Sequence, residues 1–266
     1  SPETYVVVGA TDGTVTAQFI QITDGNCLQF DNSGTQYVEL ESNTISWSAG
    51  ITIEAWVWID DLDNIGTIFG MADSLNGAKS NIIISNASTQ NGAIINDSLN
   101  FSIHNGRQIG PDAPWQSVRV ANFFRAQEWM HIAIVINGSG TPTIYKNGTL
   151  QNHVIFDIDQ AVDSRSTVTK PISVIRRYNF IGHSAWGSSN FSGKIDELRI
   201  WNDVRSQSEI QAHMGEPLNG DEANLQIYYD FNASAGTTIV DHAGAATEGT
   251  TVGMSNTNWV DADWMP

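Results

Sequence analysis

Residues 191–201, FSGKIDELRIW, decide how this chain is read. The apolar positions are Ile195, Leu198, Ile200 and Trp201, and the alternation Leu198, Arg199, Ile200 marks a strand with one wet face and one buried face. Ser192-Gly193 reads as the turn that launches it. Asp196 and Glu197 are unusual at the start of a strand entering a core, because a buried carboxylate needs a backbone cap, an arginine or a cation. Beyond Trp201 and Asn202-Asp203, the run Ser206-Gln207-Ser208-Glu209 is a capping-box pattern that opens a short helix through Met214.

Working outward, residues 51–59 hold the longest clean alternation. Ile51, Ile53, Ala55, Val57 and Ile59 share one face, and Thr52, Glu54, Trp56 and Trp58 share the other. Apolar residues on both faces toward its end predict a central strand covered on both sides. Residues 129–136 form the second strong core strand, and Trp56, Trp129 and Trp201 are expected in the core. Asn105-Gly106 and Asn147-Gly148 are tight-hairpin signals. Leu28-Gln29-Phe30 and residues 37–40 are strands joined by the turn Asp31-Asn32-Ser33-Gly34. Residues 179–182 form a strand leading to a loop over 183–190, and residues 225–231 alternate as another strand. Short strands at roughly ten-residue spacing with one short helix predict an all-β sandwich of two antiparallel sheets.

Residues 193–202, GKIDELRIWN, followed by a Ser/Glu/Ile helix, resemble the late strand of laminin-G-like and pentraxin-like domains. Three further segments agree in order: LQFDN with YVEL, ITIEAWVWI, and EWMHIAIV. The resemblance implies a concanavalin A-like jelly-roll sandwich over residues 27–232. Residues 1–26 are then an N-terminal strand or junction segment, and residues 233–266 a C-terminal extension packing on the sandwich. The resemblance also implies a structural Ca²⁺ between the early turn and the late strand. The matching positions are Asp31 and Asp196, with Ser33 and Gly34 completing the shell, since Ca²⁺ takes several oxygen ligands. Otherwise Asp31 caps its own turn and Asp196 bonds nearby amides. The residues after the Gly182 strand, His183-Ser184-Ala185-Trp186-Gly187, do not match the pentraxin double-calcium ligand set.

The chain has 266 residues, 12 Lys and Arg against 29 Asp and Glu, and a formal charge of −17. That balance argues against nucleic acid or an anionic membrane surface as partner. No apolar run is long enough to span a bilayer. The single cysteine, Cys27, excludes an internal disulfide framework and a Cys-based zinc site. The chain starts with Ser1-Pro2-Glu3 and reads as a mature or excised fragment. Few lysines and abundant Asn, Asp, Gly, Ser and Thr suit an extracellular or cell-surface module of bacterial type, beside neighbouring domains of a larger secreted protein. Seven Asn-X-Ser/Thr sequons are discounted, because this composition produces several by chance.

Catalytic patterns are weak. Glu54 is alone in its strand, and adjacent Asp196 and Glu197 are expected on opposite faces, whereas a retaining glycosidase needs two carboxyls about 5 Å apart on one face. Gly-x-Ser-x-Gly is absent, and His131 reads as a structural histidine in a core strand. Sugar recognition needs an aromatic platform with hydrogen-bonding groups beside it. Trp186 and Trp115 lie in Gly/Ser/Pro loops, where a large ring is harder to explain by packing. Trp186 with His183, Ser188, Ser189, Asn190 and Trp115 is therefore the expected ligand site, the alternative being a loop Trp folded back as a lid over the sandwich end. The role expected is a non-catalytic glycan- or glycoconjugate-binding module from an adhesin or a polysaccharide-degrading protein. A spacer domain without a ligand is the alternative, with a glycoside hydrolase or lyase third.

Overall fold

The structure, a computed structural model, describes residues 6–7, 17–18, 25–31, 33, 35–75, 80–90, 93–104, 115–157, 160–161, 166–168, 170–187, 191–244 and 247–262. Two large antiparallel sheets face each other across one apolar core, as in a jelly-roll sandwich. In the eight-stranded sheet Gly50–Ile59 is central, with Trp129–Asn137 on one side and Gly193–Trp201 on the other. The free side of Gly193–Trp201 is divided: Asn26–Phe30 pairs with its first residues and Leu225–Tyr229 with its last. In the ten-stranded sheet the middle runs Leu99–His104, Ile82–Ser85, Thr67–Ala72, Tyr178–Ile181 and Tyr37–Leu40. Late strands extend both sheets: Gly249–Val252 lies on Tyr37–Leu40 with Thr238–Ile239 beyond it at the edge, and Trp259–Asp261 lies on Asn26–Phe30. Val6–Val7 and Ala17–Gln18 pair only with each other.

The predicted alternation is the observed one. Ile51, Ile53, Ala55, Val57 and Ile59 enter the core against Val38, Phe69, Ile84 and Phe101 of the other sheet. Asn147 and Gly148 both have left-handed backbone, the conformation a two-residue hairpin turn requires. The Asn105-Gly106 turn falls outside the described residues.

Between Asp196 and Arg199 the register against Gly50–Ile59 slips, and Glu197 has φ of +50°. This bulge overrides the alternation that would have put Asp196 and Glu197 on opposite faces. It lets the Glu197 carboxylate pair with the Arg199 guanidinium two residues on. Arg199 then donates to the carbonyls of His213 (2.8 Å) and Glu216 (2.7 Å), and Trp56 Nε1 donates to Met214 O (2.6 Å). Those carbonyls lie at the end of the helix Gln207–His213, whose start carries the predicted capping box of Ser206 and Glu209. Ile210 packs on Ala133, Val135 and Tyr145, so the helix covers one end of the outward face of the eight-stranded sheet.

Trp56 and Trp201 are buried as expected, but Trp129 is not a core residue. It lies opposite Trp58 on the outward face, half-buried and packed against Cys27, Trp56 and Ala262.

Candidate functional site

On the ten-stranded sheet, alternate residues leave the core and define an outward face: Tyr37 and Glu39, Gly70 and Ala72, Tyr178 and Phe180, Asn100, Ser102 and His104, Ser117 and Arg119. After Ile181 the chain turns through Gly182, whose φ is +78° and where a Cβ would strike the Phe30 ring at 2.6 Å. Residues 183–187 then cross this face over its smallest side chains. A Cβ on Gly70 would lie 3.2 Å from the His183 carbonyl, and Ala72 packs with Ala185 and Phe180. The crossing closes with a turn in which Gly187 N–H donates to Ser184 O at 3.1 Å.

This crossing assembles a patch of rings. Trp186 is half-buried and meets His104 edge-on, with centroids 4.7 Å apart and planes at 88°. His183 stacks on Tyr37 at 4.9 Å, and its ring meets Phe180 edge-on at 5.3 Å. Burial lowers the pKa of His104 to about 4 and that of His183 below its ordinary value, so both rings are neutral at pH 7. The patch therefore presents uncharged rings.

A polar strip adjoins it, in which Asn100 is half-buried and Ser102, Ser117 and Arg119 are buried. Asn100 Nδ2 donates to Ser102 Oγ (3.1 Å) and Ser85 Oγ (3.3 Å). Arg119 Nε donates to Ser117 Oγ (3.0 Å) and Asn100 Oδ1 (3.3 Å), and its guanidinium lies 3.9 Å over the Phe156 ring. Amide, hydroxyl and guanidinium groups beside aromatic rings are the groups that hold sugar hydroxyls and the apolar face of a pyranose.

Of the expected ligand residues, Trp186 and His183 both lie on this crossing, their rings on His104 and on Tyr37 and Phe180. Ser188, Ser189 and Asn190 lie outside the described residues. The main chain of Trp115 pairs directly with that of His104, one strand from the ring Trp186 touches. Tyr37, Phe180, His104, Asn100, Ser102, Ser117 and Arg119 were not anticipated. Their only signal was alternation with core residues, and that alternation does not show that strands distant in sequence form one face.

The shared calcium shell requires correction. The pairing of Gly193 with Phe30 and Ile195 with Leu28 puts Asp31 and Asp196 at opposite ends of the ladder, about 13 Å apart along it. Each carboxylate already accepts protein donors. Asp31 takes Ser33 N–H (2.9 Å) and Gln36 Nε2 (3.1 Å), and Asp196 takes Glu197 N–H (2.9 Å). Gly34 is outside the described residues, among which no group of three or more metal-binding side chains occurs. These residues do not fit one shared ion.

The acids Glu54 and Glu197 are sealed between sheet and helix, 1% and 4% exposed, and burial raises the pKa of both against the pull of Arg199. Among the described residues no helix is long and apolar enough to cross a membrane.

A laminin-G-type family model, described as the concanavalin A-like lectin/glucanases superfamily, matches residues 32–211. No curated protein matches the chain. Among solved structures, a candidate carbohydrate-binding protein from Bacteroides ovatus superposes with a TM-score of 0.58 at 21% identity, over 92% of this chain and 63% of that one. This chain therefore spans less than two thirds of that protein. A heptameric SAP-like pentraxin from Limulus polyphemus aligns with a TM-score of 0.46 at 14% identity, covering 72% of this chain and 82% of that one. A Ruminococcus gnavus sialidase CBM40 aligns at 0.45 and 12%, covering 71% and 97%.

Proposed function

Since the chain belongs to the concanavalin A-like lectin/glucanases superfamily, we propose that it is a non-catalytic carbohydrate-binding module whose ligand lies across the outward face of the ten-stranded sheet. The observation that carries this reading is the gathering of the half-buried Trp186–His104 and Tyr37–His183 rings beside the half-buried Asn100 on this face. A sugar ring laid on such a patch loses apolar contact with water while its hydroxyls exchange water for fixed donors and acceptors. The acids support the non-catalytic reading: Glu54 and Glu197 sit on the opposite sheet, engaged with Arg199, Trp201 and Tyr228. The composition suits a module displayed outside the cell, in keeping with the carbohydrate-binding description of the Bacteroides ovatus protein.

The edge contact of Trp186 on His104 favours a second reading, a spacer in which this tryptophan only closes the sheet. A glycan array probed with the intact chain, with and without EDTA, decides between them. A module binds at least one glycan class in both conditions. Signal for no glycan supports the spacer.

A further inference from the structure

Asn81 lies just before the strand Ile82–Ser85 in the ten-stranded sheet. Its N–H donates to His104 O at 3.1 Å, and its own carbonyl accepts from His104 N–H at 2.9 Å. Residues paired this directly turn their side chains to one face, here the outward one. The register of Met71 with Ile82, carried one residue further, sets Ala72 on the other side of Asn81. Above this row Ala185 packs with Ala72, and the Trp186 ring meets that of His104. The crossing formed by residues 183–187 therefore covers Asn81.

Asn81 is 1% exposed, and among the described residues neither its Nδ2 nor its Oδ1 has a hydrogen-bond partner. A carboxamide both donates and accepts, and burying one with its bonds unmade opposes folding. An apolar side chain would fill this position without that cost, so the amide is explained by a group that comes to it. The crossing can yield to such a group. Among the described residues, the one main-chain hydrogen bond made within residues 183–187 is internal, from Gly187 to Ser184. Gly182 and Gly187, on either side of the rings, both have left-handed backbone. On the carbohydrate-binding reading above, we infer that Asn81 is the specificity-determining residue of this face and selects sugars that carry an acetamido group, which enters beneath Trp186. The methyl of that group packs among Ala72, Ala185 and the two rings, and its carbonyl accepts from Asn81 Nδ2. A neighbouring sugar hydroxyl donates to Oδ1. A sugar bearing only hydroxyls has no methyl to offer these apolar walls.

The test is isothermal titration of the intact chain with triacetylchitotriose and with cellotriose, which share one backbone and differ in the acetamido group. Triacetylchitotriose should bind at least tenfold more tightly. Asn81→Ala and Asn81→Leu should both bring it down to the cellotriose level, the leucine guarding against an effect of emptied space. Both variants should keep the fold by circular dichroism, because the amide they lose has no partner in the unliganded chain. Equal binding of the two sugars by the intact chain, a preference that survives both substitutions, or failure of both variants to fold would each overturn the assignment of Asn81. In those cases another glycan bound on the array would leave the carbohydrate reading standing. An array signal for no glycan would overturn both.

Discussion

Trp201 shows how one side chain ties the chain together. It is fully buried, its Nε1 donates to Glu54 Oε1 at 2.9 Å, and the Arg205 guanidinium lies 4.0 Å over its ring. Trp201→Ala should cost roughly 3–5 kcal/mol in chemical unfolding, the range for a large buried aromatic. Trp201→Phe should cost less, about 1–3 kcal/mol, since it refills the space but strips a donor from a buried carboxylate. Beside it, His131 has its Nε2 3.5 Å from Glu54 Oε2, and burial followed by the nearby Arg199 charge lowers its pKa to about 3. A histidine held neutral contributes stability that is fully present above its unfolded pKa near 6.5 and is lost as the pH falls toward 3. At pH 5 that loss is about 2 kcal/mol. The raised pKa of Glu54 acts in the opposite sense, so His131→Gln must be compared with the parent chain. Urea midpoints at pH 7 and pH 5 should fall less in the variant. Equal falls would mean that His131 is not held neutral.

The bulge at Glu197 and the helix Gln207–His213 work as one element. Burial opposes the Arg199 charge, but Glu54 and Glu197 outweigh it and hold its pKa above the ordinary value. This cation bridges the buried carboxylates and the carbonyls that end the helix. Arg199→Met would leave two buried carboxylates without their counter-charge, a change on the order of 3–5 kcal/mol. Amide exchange over residues 207–218 should accelerate more than that of Gly50–Ile59. Uniform acceleration would contradict a local clamp. The helix itself was legible, because a capping box is a contiguous signal. The bulge was not: a doublet of acids inside an alternating strand reads as a regular strand, and only a partner such as Arg199, drawn in by the fold, makes the extra residue stable. Trp129 was misread for a related reason. Its alternation is that of a core strand, but it lies on the outward face, where it packs against the small cluster of Cys27, Trp56 and Ala262 and stays half-buried.

At the scale of the whole molecule, the sandwich was readable from the chain because each core strand shows its period locally. The candidate site was readable only in part. Trp186 and His183 stand out as rings in a small-residue loop, whereas Asn100, Ser117 and Tyr37 gain meaning only when the sheet order sets their strands side by side. Sheet order also separates Asp31 from Asp196, so millimolar calcium and EDTA should give the same melting temperature within about 1 °C. A calcium-dependent rise of several degrees would show an ion bound to the folded state through other groups. The central claim is that the outward face of the ten-stranded sheet binds glycan, and Trp186→Ala tests it most directly. Isothermal titration of the strongest glycan-array ligand should show at least tenfold weaker binding to Trp186→Ala than to the parent chain, with the fold confirmed by circular dichroism. Equal affinity for the two proteins would contradict the account.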